Sequence, residues 1–251
     1  MGVMYNPFSL EGKTILITGA SSGIGRATAI ECSRMGANVI ITARSKERLQ
    51  ETYEMLDGSE NRQIIAELTN NDDLGSLVAT VGKIDGVVLC AGKGKTLPVL
   101  FSTREEFDDI YNVNFFSQVE LLRLLTKKKC LNINSSVVVI SSIGGNYRFS
   151  PGNAIYGSSK AALKSMVQFY AIELATKKIR VNGICPGMVE TPLISGGTLS
   201  KEQLDADKAK YPLKRYGKPE EVAFGAIYLL SEASSWITGQ SLVIDGGITA
   251  K

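Results

Sequence analysis

A tyrosine and a lysine stand four residues apart in Tyr156-Gly-Ser-Ser-Lys160, in a chain that contains no histidine. Residues at this spacing share one face of a helix, so a helix here would bring the phenol and the ammonium group together. A neighbouring cation favours the phenolate, and we therefore expect Lys160 to lower the pKa of Tyr156 from about 10 towards neutrality. A tyrosine tuned in this way is a usable general acid or base, which a chain without imidazoles needs.

A glycine-rich turn, residues 18–25, reads TGASSGIG and lies between a β-branched run and a helical pattern. Glycines let the backbone turn sharply and approach a pyrophosphate, and the N-terminus of the following helix attracts the anion. The turn therefore predicts a dinucleotide site. It also contains the GxSxG pattern of hydrolases, but that nucleophile needs a histidine base. The residues that we expect at the pyrophosphate are Gly19, Ser21, Ser22, Gly23, Ile24 and Gly25.

The end of the second strand-like run indicates which dinucleotide is bound. Sites for NAD commonly carry an acidic residue there, which holds the ribose hydroxyls. In this chain Ala43 occupies the expected position of the acid, and Arg44 and Ser45 follow it. An arginine forms charge-assisted hydrogen bonds with the 2′-phosphate of NADP, whereas a carboxylate repels it. We therefore predict that the cofactor is NADP(H) and that Arg44 and Ser45 contact it.

The elements that must position these residues alternate along the chain between short β-branched runs and longer helical patterns. Near-continuous Ile, Val and Leu in the runs indicates strands buried on both faces, as in a parallel sheet. The alternation predicts an α/β fold, a doubly wound parallel sheet of about seven strands with helices on both faces. The strand-like runs are Lys13–Thr18, Asn38–Ala43, Arg62–Ala66, Ile84–Cys90, Ser135–Ser141, Arg180–Cys185 and Ser241–Asp245, and the helical patterns lie near 24–35, 46–56, 71–81, 103–127, 154–177 and 218–231.

We expect residues 1–251 to form a single domain, because no linker or internal repeat interrupts this pattern. The widest stretch without a core pattern is 193–212, which is compatible with a substrate flap and equally with a polar surface loop.

The composition argues against several other classes of protein. A net charge of +3 is too small to indicate nucleic-acid binding, and the apolar runs are too short to span a membrane. The first ten residues lack the pattern of a signal peptide. Four scattered cysteines, at positions 32, 90, 130 and 185, are typical of reduced thiols in a cytoplasmic protein, and in a chain without histidine they argue against a zinc site.

Taken together, the motifs resemble those of the short-chain dehydrogenase/reductase family from about residue 10 to 247. The resemblance implies a Rossmann-type fold and an oxidoreductase acting on CH–OH groups, to which Arg44 adds the expected dependence on NADP. The matching motifs are the glycine turn, Cys90-Ala91-Gly92, Asn112-Val-Asn114, Ser141-Ser142, Tyr156 with Lys160, Pro186-Gly187 with Thr191, and Asp245-Gly246-Gly247.

The resemblance also implies a role for each matching residue. Asn114 resembles the asparagine that holds a water beside the lysine, and Ser142 the serine that hydrogen-bonds the substrate oxygen. Tyr156 matches the proton donor, and Lys160 the lysine that binds the nicotinamide ribose. The remaining cofactor contacts implied by the resemblance are Glu67 and Leu68 near the adenine, Cys90, Ala91 and Gly92, and the nicotinamide loop with Pro186, Gly187, Val189 and Thr191.

Three positions depart from the family pattern. Cys90 replaces an asparagine whose role is chiefly structural, and Glu67 replaces an aspartate. The spacing from the serine to the tyrosine is about one residue longer than usual, which leaves open whether Ser141 or Ser142 faces the substrate. The neighbouring Gly144-Gly145 pair offers a place where a loop absorbs the extra residue.

The expected function is an NADPH-dependent carbonyl reductase that also acts as an alcohol dehydrogenase. Lysines at 127–129 and 177–178 end two long helices, where they complement the helix dipoles. In family members that reduce acyl chains on acyl carrier protein, basic docking residues have similar places, so 3-oxoacyl thioesters are the leading substrate class. Sugars, polyols or steroid-like alcohols are alternative substrates, and a non-catalytic NADPH sensor is an alternative function. The resemblance suggests a homotetramer or homodimer formed through helices 103–127 and 154–177.

Overall fold

A single sheet of seven parallel strands forms the centre of the protein, in a computed structural model that describes residues 5–192 and 200–250. The strands lie in the order β3-β2-β1-β4-β5-β6-β7, and every pair of neighbours is parallel. The prediction of a doubly wound Rossmann-type sheet is confirmed. The strands are β1 Thr14–Thr18, β2 Asn38–Ala43, β3 Arg62–Ile65, β4 Ile84–Leu89, β5 Leu131–Ile140, β6 Arg180–Pro186 and β7 Ser241–Ile244.

Helices cover both faces of this sheet. None of the helices in the described ranges has both the length and the apolar character needed to cross a membrane. The helices are α1 Gly23–Arg34, α2 Lys46–Tyr53, α3 Asn71–Val81, α4 Arg104–Tyr111, α5 Ser117–Lys127, α6 Ala154–Leu174, α7 Lys201–Lys208 and α8 Pro219–Leu230.

Two hydrophobic layers hold the helices against the sheet. One layer joins the strands to α3, α5 and α6, with Leu77, Leu121 and Leu163 among its fully buried members. The other joins the strands to α1, α2 and α8, and it includes Ala29 and Val222. The central strands are buried on both sides, which explains why their sequences read as continuous Ile, Val and Leu.

The chain reverses its direction of travel across the sheet at β1, which pairs with β2 on one side and with β4 on the other. In such sheets, ligands bind in the crevice outside the carboxyl ends of the strands at this reversal. The turns after β1 and β4 are the glycine turn and Cys90-Ala91-Gly92, so the fold brings two of the predicted motifs together at one edge.

Two elements differ from the sequence-based expectation. The helix expected over 103–127 is α4 and α5 joined by a π-helical turn, Asn112–Phe116. Strand β5 begins at Leu131, earlier than the expected Ser135, and its register with β4 shifts between Ile84 and Gly86. Of the predicted flap over 193–212, residues 193–199 lie outside the described residues, and the remainder contains α7.

Candidate active site

Helix α6 carries Tyr156 and Lys160 on one face, as their spacing predicts. The Lys160 ammonium nitrogen lies 5.9 Å from the centre of the Tyr156 ring. It donates a hydrogen bond of 2.9 Å to the carbonyl oxygen of Ile140, the last residue of β5. Lys160 is only 4% exposed. A charged amine is thus held in a nearly dry position between the tyrosine and the end of the central strand.

The prediction that Lys160 lowers the pKa of Tyr156 is wrong, because the protein raises that pKa. Burial raises the pKa of the phenol, a hydrogen bond with Ser142 lowers it, and Cys90 raises it further. Burial also lowers the pKa of Lys160 itself to about 8. The physical reason is desolvation, the largest cause for each group, which disfavours both the phenolate and the ammonium ion.

The two serines after β5 have different environments. Ser142 lowers the pKa of the Tyr156 phenol that it adjoins, and its oxygen accepts a hydrogen bond of 3.0 Å from the backbone of Gly144. Ser141 is buried, and its hydroxyl donates a hydrogen bond of 2.7 Å to the carbonyl oxygen of Lys160. Ser142 is therefore the serine that adjoins the phenol, whereas Ser141 ties its loop to the backbone of α6.

A close glycine contact fixes the loop between β5 and α6. Gly145 has φ +79°, and a Cβ there would collide with the backbone of Gly157, the residue that follows Tyr156. A Cβ on Gly144 would lie 3.3 Å from Ser142 Oγ and 3.9 Å from a ring carbon of Tyr156. The two glycines thus let the serine loop pack directly on the helix that carries the tyrosine.

Asn114 lies in the π-helical turn and is fully buried. Its side-chain oxygen accepts a hydrogen bond of 2.8 Å from Lys93 N, and its amide nitrogen donates to Lys93 O at 3.0 Å and to Ser159 Oγ at 3.1 Å. A Cβ on Gly92 would lie 3.2 Å from Asn114 Oδ1 and 3.3 Å from Lys160 Nζ. Asn114 therefore adjoins the lysine, and its side chain anchors the strand-end loop.

Sequence reasoning missed two residues that hold the turn at Cys90. Thr18 Oγ1 accepts hydrogen bonds from Cys90 N at 2.9 Å and from Ala91 N at 3.1 Å. Gln118 is fully buried and donates its amide hydrogen to the carbonyl oxygen of Ala91. Threonine is common at the end of a strand, so Thr18 gave no distinct signal in the sequence. A glutamine among the apolar residues of α5, in contrast, indicated a buried polar contact.

The glycine turn forms a cradle that side chains would fill. A Cβ on Gly19 would lie 2.8 Å from Ala91 Cα, and a Cβ on Gly25 would collide with the carbonyl of Gly19. Gly23 faces Thr191 of the loop after β6, whose methyl carbon would lie 3.1 Å from an added Cβ. The turns after β1, β4 and β6 thus meet at one point.

The first turn of α1 is suited to an anion. Its N-cap residue, Ser22, makes no capping hydrogen bond with its side chain, and no acidic residue occupies the first turn. Arg26 fixes the backbone of Ser21 by donating a hydrogen bond of 2.8 Å to its carbonyl oxygen. Backbone N–H groups at such a helix start bind phosphate. Ile24, in contrast, packs its side chain against the core.

Arg44 and Glu67 lie side by side at the ends of β2 and β3. Their side chains form an ion pair of 3.5 Å, with Arg44 67% exposed. Glu67 also accepts a hydrogen bond of 3.1 Å from the Thr69 hydroxyl. Ser45 caps α2 by accepting from Arg48 N, so its hydroxyl has a local partner. The Leu68 side chain is buried in the core, which leaves its backbone as the group nearest the surface.

The loop after β6 completes the site. Pro186 ends the strand, and Gly187 N donates a hydrogen bond of 2.9 Å to Ile244 O. Val189 is buried and pairs with Gly217. The predicted cofactor residues therefore share one edge of the sheet, although Leu68 and Val189 direct their side chains into the core. The described residues contain no group of three metal-ligating His, Cys, Asp or Glu side chains.

Comparison with known proteins gives consistent matches along the chain. A family model described as enoyl-(acyl carrier protein) reductase matches residues 19–249. The 3-oxoacyl-(acyl carrier protein) reductase FabG of Thermotoga maritima is 36% identical over 245 residues, which cover 95% of this chain and 98% of that protein.

Solved structures give the same picture. One from Brucella melitensis, described as a short-chain dehydrogenase/reductase of the glucose/ribitol dehydrogenase type, matches with a TM-score of 0.89 and 34% identity over 97% of this chain and 99% of that chain. Another, from Beutenbergia cavernae, is described as a candidate NAD(P)-dependent gluconate 5-dehydrogenase with NADP bound at low occupancy. It matches with a TM-score of 0.88 and 29% identity over 98% of this chain and 100% of that chain.

Proposed function

We propose, from the premise that this chain belongs to the short-chain dehydrogenase/reductase family, that it is an NADPH-dependent reductase of ketone groups. Members of the family are oxidoreductases acting on CH–OH and oxo groups, and the same site would run the reverse, alcohol-oxidising reaction. The observation that carries the proposal is that Ser142 and a buried Lys160 both lie beside Tyr156.

The cradle at the crevice fits a dinucleotide. Gly19 and Gly25 leave no room for a Cβ, and the start of α1 offers backbone N–H groups that Ser22 does not cap. When bound, NADPH would supply the hydride. In this proposal Arg44, which follows the end of β2, binds the 2′-phosphate of NADPH, and its guanidinium exchanges Glu67, 3.5 Å away, for the phosphate.

The protein's own residues would handle the proton. As a carbonyl carbon is reduced, negative charge develops on its oxygen, and hydroxyl groups placed at that oxygen stabilise it. We assign this role to Ser142 and Tyr156. Because burial raises the pKa of Tyr156, the phenol is protonated at neutral pH and is ready to donate. Lys160 would then stabilise the phenolate that remains.

Acyl thioesters are the proposed substrate class, supported by the similarity to a 3-oxoacyl-(acyl carrier protein) reductase. The second candidate is a sugar, polyol or sugar acid, and the similarity to the glucose/ribitol and gluconate enzymes favours it. The two classes differ in length and in polarity. Thioesters rank first because this chain is 36% identical to the 3-oxoacyl-(acyl carrier protein) reductase, against 34% and 29% for the two sugar-type enzymes.

The lysines proposed for docking acyl carrier protein lie at the opposite edge of the sheet from Tyr156. Lys127 ends α5 just before β5 begins, and Ser142 follows the end of that strand. Ten residues of strand span about 30 Å. Lys129 and Lys177 line one surface groove with Lys83 at this edge. An acyl chain on a carrier docked there would have to cross about 30 Å to reach Ser142 of the same chain, and we propose that it enters a second copy instead.

An assembly of two or four copies is therefore part of the proposal. The outer surfaces of the helices expected to pair carry exposed apolar side chains: Phe116 is 53%, Phe169 64% and Ile172 76% exposed. Large apolar side chains grouped on an outer face commonly mark an interface between proteins. The proposal also retains a cytoplasmic location, supported by the four free thiols in the described residues.

The experiment that tests the proposal is NADPH consumption with a matched panel of carbonyl compounds. Acetoacetyl thioesters on acyl carrier protein and on coenzyme A would be compared with keto-sugars and keto-acids. We expect loss of NADPH absorbance with the thioesters and a higher rate on the carrier. Faster turnover of the sugar panel would move the assignment to the second class. Binding of NADPH with no turnover on any compound would indicate the sensor instead.

A further inference from the structure

A cluster of polar side chains lies outside the catalytic residues and joins three separate segments. Its centre is Asp207 on α7, whose side chain is 22% exposed. The surrounding groups come from the loop between β5 and α6, from the loop after β6, and from the chain that follows α7. Such a carboxylate, with several donors from different segments, is a candidate for holding those segments in register.

The contacts of Asp207 reach in two directions. One carboxylate oxygen accepts a hydrogen bond of 3.0 Å from the hydroxyl of Tyr216, which is 2% exposed. The other oxygen lies 3.8 Å from an Arg148 guanidinium nitrogen and 3.2 Å from Lys210 Nζ. Arg148 is in the loop that begins with Ser142, and its backbone pairs with Gly144 beside the catalytic serine and tyrosine.

The chain after α7 is fastened to the loop that follows β6. The buried Tyr211 hydroxyl accepts a hydrogen bond of 3.2 Å from Met188 N. Gly217 N donates to Met188 O at 3.0 Å, and Glu190 N donates to Gly217 O at 2.9 Å. The rings of Tyr211 and Tyr216 pack edge to face, 5.6 Å apart. Asp207 thus connects the serine loop to the loop that holds Val189 and Thr191.

We propose that Asp207 is a positioning residue that holds α7 against the Arg148 loop and so fixes the shape of the substrate cleft. We call this set of contacts, of Asp207 with Arg148 and Tyr216, the clasp. This inference rests on the proposed carbonyl reductase function. Asp207 touches none of the proposed catalytic groups, and its effect would pass through Arg148 and Tyr216. Loss of the charge would leave the proposed proton donors in place but would leave the Arg148 loop and the chain after α7 less ordered. The expected signature is weaker substrate binding with little change in the chemical step.

The test compares Asp207→Asn with Asp205→Asn, an exposed carboxylate on the same helix. We expect Asp207→Asn to raise KM for the preferred carbonyl substrate about fivefold, with kcat within twofold and the Kd for NADPH unchanged. Asp205→Asn should match the wild type. Arg148→Met should reproduce the effect, and the double variant should be no worse than the poorer single variant. An unchanged KM, or effects that multiply in the double variant, would overturn the clasp.

A second measurement does not depend on catalysis. Amide hydrogen exchange on the full chain reports whether the backbone at 143–150 and 201–217 is held. Both segments should exchange faster in Asp207→Asn than in the wild type or Asp205→Asn. If no carbonyl compound is turned over, the proposed function fails while this exchange result still decides on the clasp. Identical exchange in all three proteins would rule the clasp out.

Discussion

Lys160 places its ammonium nitrogen 5.9 Å from the centre of the Tyr156 ring, and Ile140 O accepts its hydrogen bond at 2.9 Å. The lysine is therefore close enough to stabilise a phenolate but is anchored to the strand rather than to the phenol. Burial acts on both groups, raising the pKa of Tyr156 and lowering that of Lys160 to about 8. The arrangement favours a protonated tyrosine beside a charged lysine at neutral pH, the pairing needed to reduce a carbonyl.

The first prediction concerns the pH dependence of reduction. Lys160 carries its charge below about pH 8 and loses it as the pH rises through that value, because burial has lowered its pKa. Tyr156 remains protonated over the same range, because its pKa is raised. We expect kcat for ketone reduction to be level from about pH 6 and to fall above about pH 8. A constant kcat up to about pH 9.5 would contradict this role of the lysine charge.

The second prediction is that Lys160→Met abolishes turnover and yet stabilises the fold. Lowering the pKa from 10.5 to about 8 corresponds to about 3 kcal/mol of unfavourable burial. Loss of the hydrogen bond to Ile140 offsets part of the gain. We expect the free energy of unfolding at pH 7 to rise by about 1–2 kcal/mol, as measured by urea titration.

The pH dependence of the stability difference between Lys160→Met and the wild type provides the control for the second prediction. Between about pH 8 and 10.5 the folded wild type has released the Lys160 proton, whereas the unfolded chain still holds it. Folding is then stabilised as the pH rises, because the unfolded state binds more protons. The advantage of Lys160→Met should therefore shrink across this window. If Lys160→Met were less stable than the wild type at pH 7, burial of the charged lysine would not destabilise the fold, and the prediction would be wrong.

The third prediction separates the two adjacent serines. Ser142→Ala removes the hydroxyl beside Tyr156, and we expect kcat to fall by about 10²–10³ with little loss of stability. Ser141→Ala removes a buried hydrogen bond to Lys160 O, and it should cost about 1 kcal/mol of stability while keeping kcat within about threefold. Steady-state kinetics and thermal unfolding of both variants check this. The reverse ranking of the two kcat values would exchange their roles.

The fourth prediction is a preference for NADPH that depends on Arg44. Arg44→Ala should reduce kcat/KM for NADPH by about 10- to 100-fold, because a charge-assisted hydrogen bond to the phosphate is lost. The value for NADH should change by less than about threefold. Arg104→Ala, which removes an exposed arginine on α4, is the matched control. Equal efficiency of the wild type with both cofactors would count against the prediction.

Local patterns in the sequence predicted much of the fold and part of the site. The short runs of β-branched apolar residues marked six of the seven strands to within one residue, and the four-residue spacing placed Tyr156 and Lys160 on one face of α6. Ser142 was distinguished from Ser141 only by the structure, because the choice depends on how Gly145 packs against Gly157. The sequence contains both glycines but not the contact between them.

Features that depend on distant contacts were not predictable. The π-helical turn at Asn114 coincides with hydrogen bonds to Lys93, far away in the sequence, so the pattern of 103–127 reads as one uninterrupted helix. The direction of the Tyr156 pKa depends on burial, which a motif does not reveal. The distance between Lys127 and Ser142 follows from the length of β5, which begins four residues before the expected Ser135.

The most direct test of the central claim is the turnover of Tyr156→Phe. This substitution removes one hydroxyl and keeps the ring, so the cradle for NADPH should be unaffected. NADPH consumption with the best carbonyl substrate would be measured together with NADPH binding by fluorescence. We predict that turnover is abolished while the Kd for NADPH stays within about twofold of the wild type. Residual activity within tenfold of the wild type would contradict the assignment of Tyr156 as the proton donor.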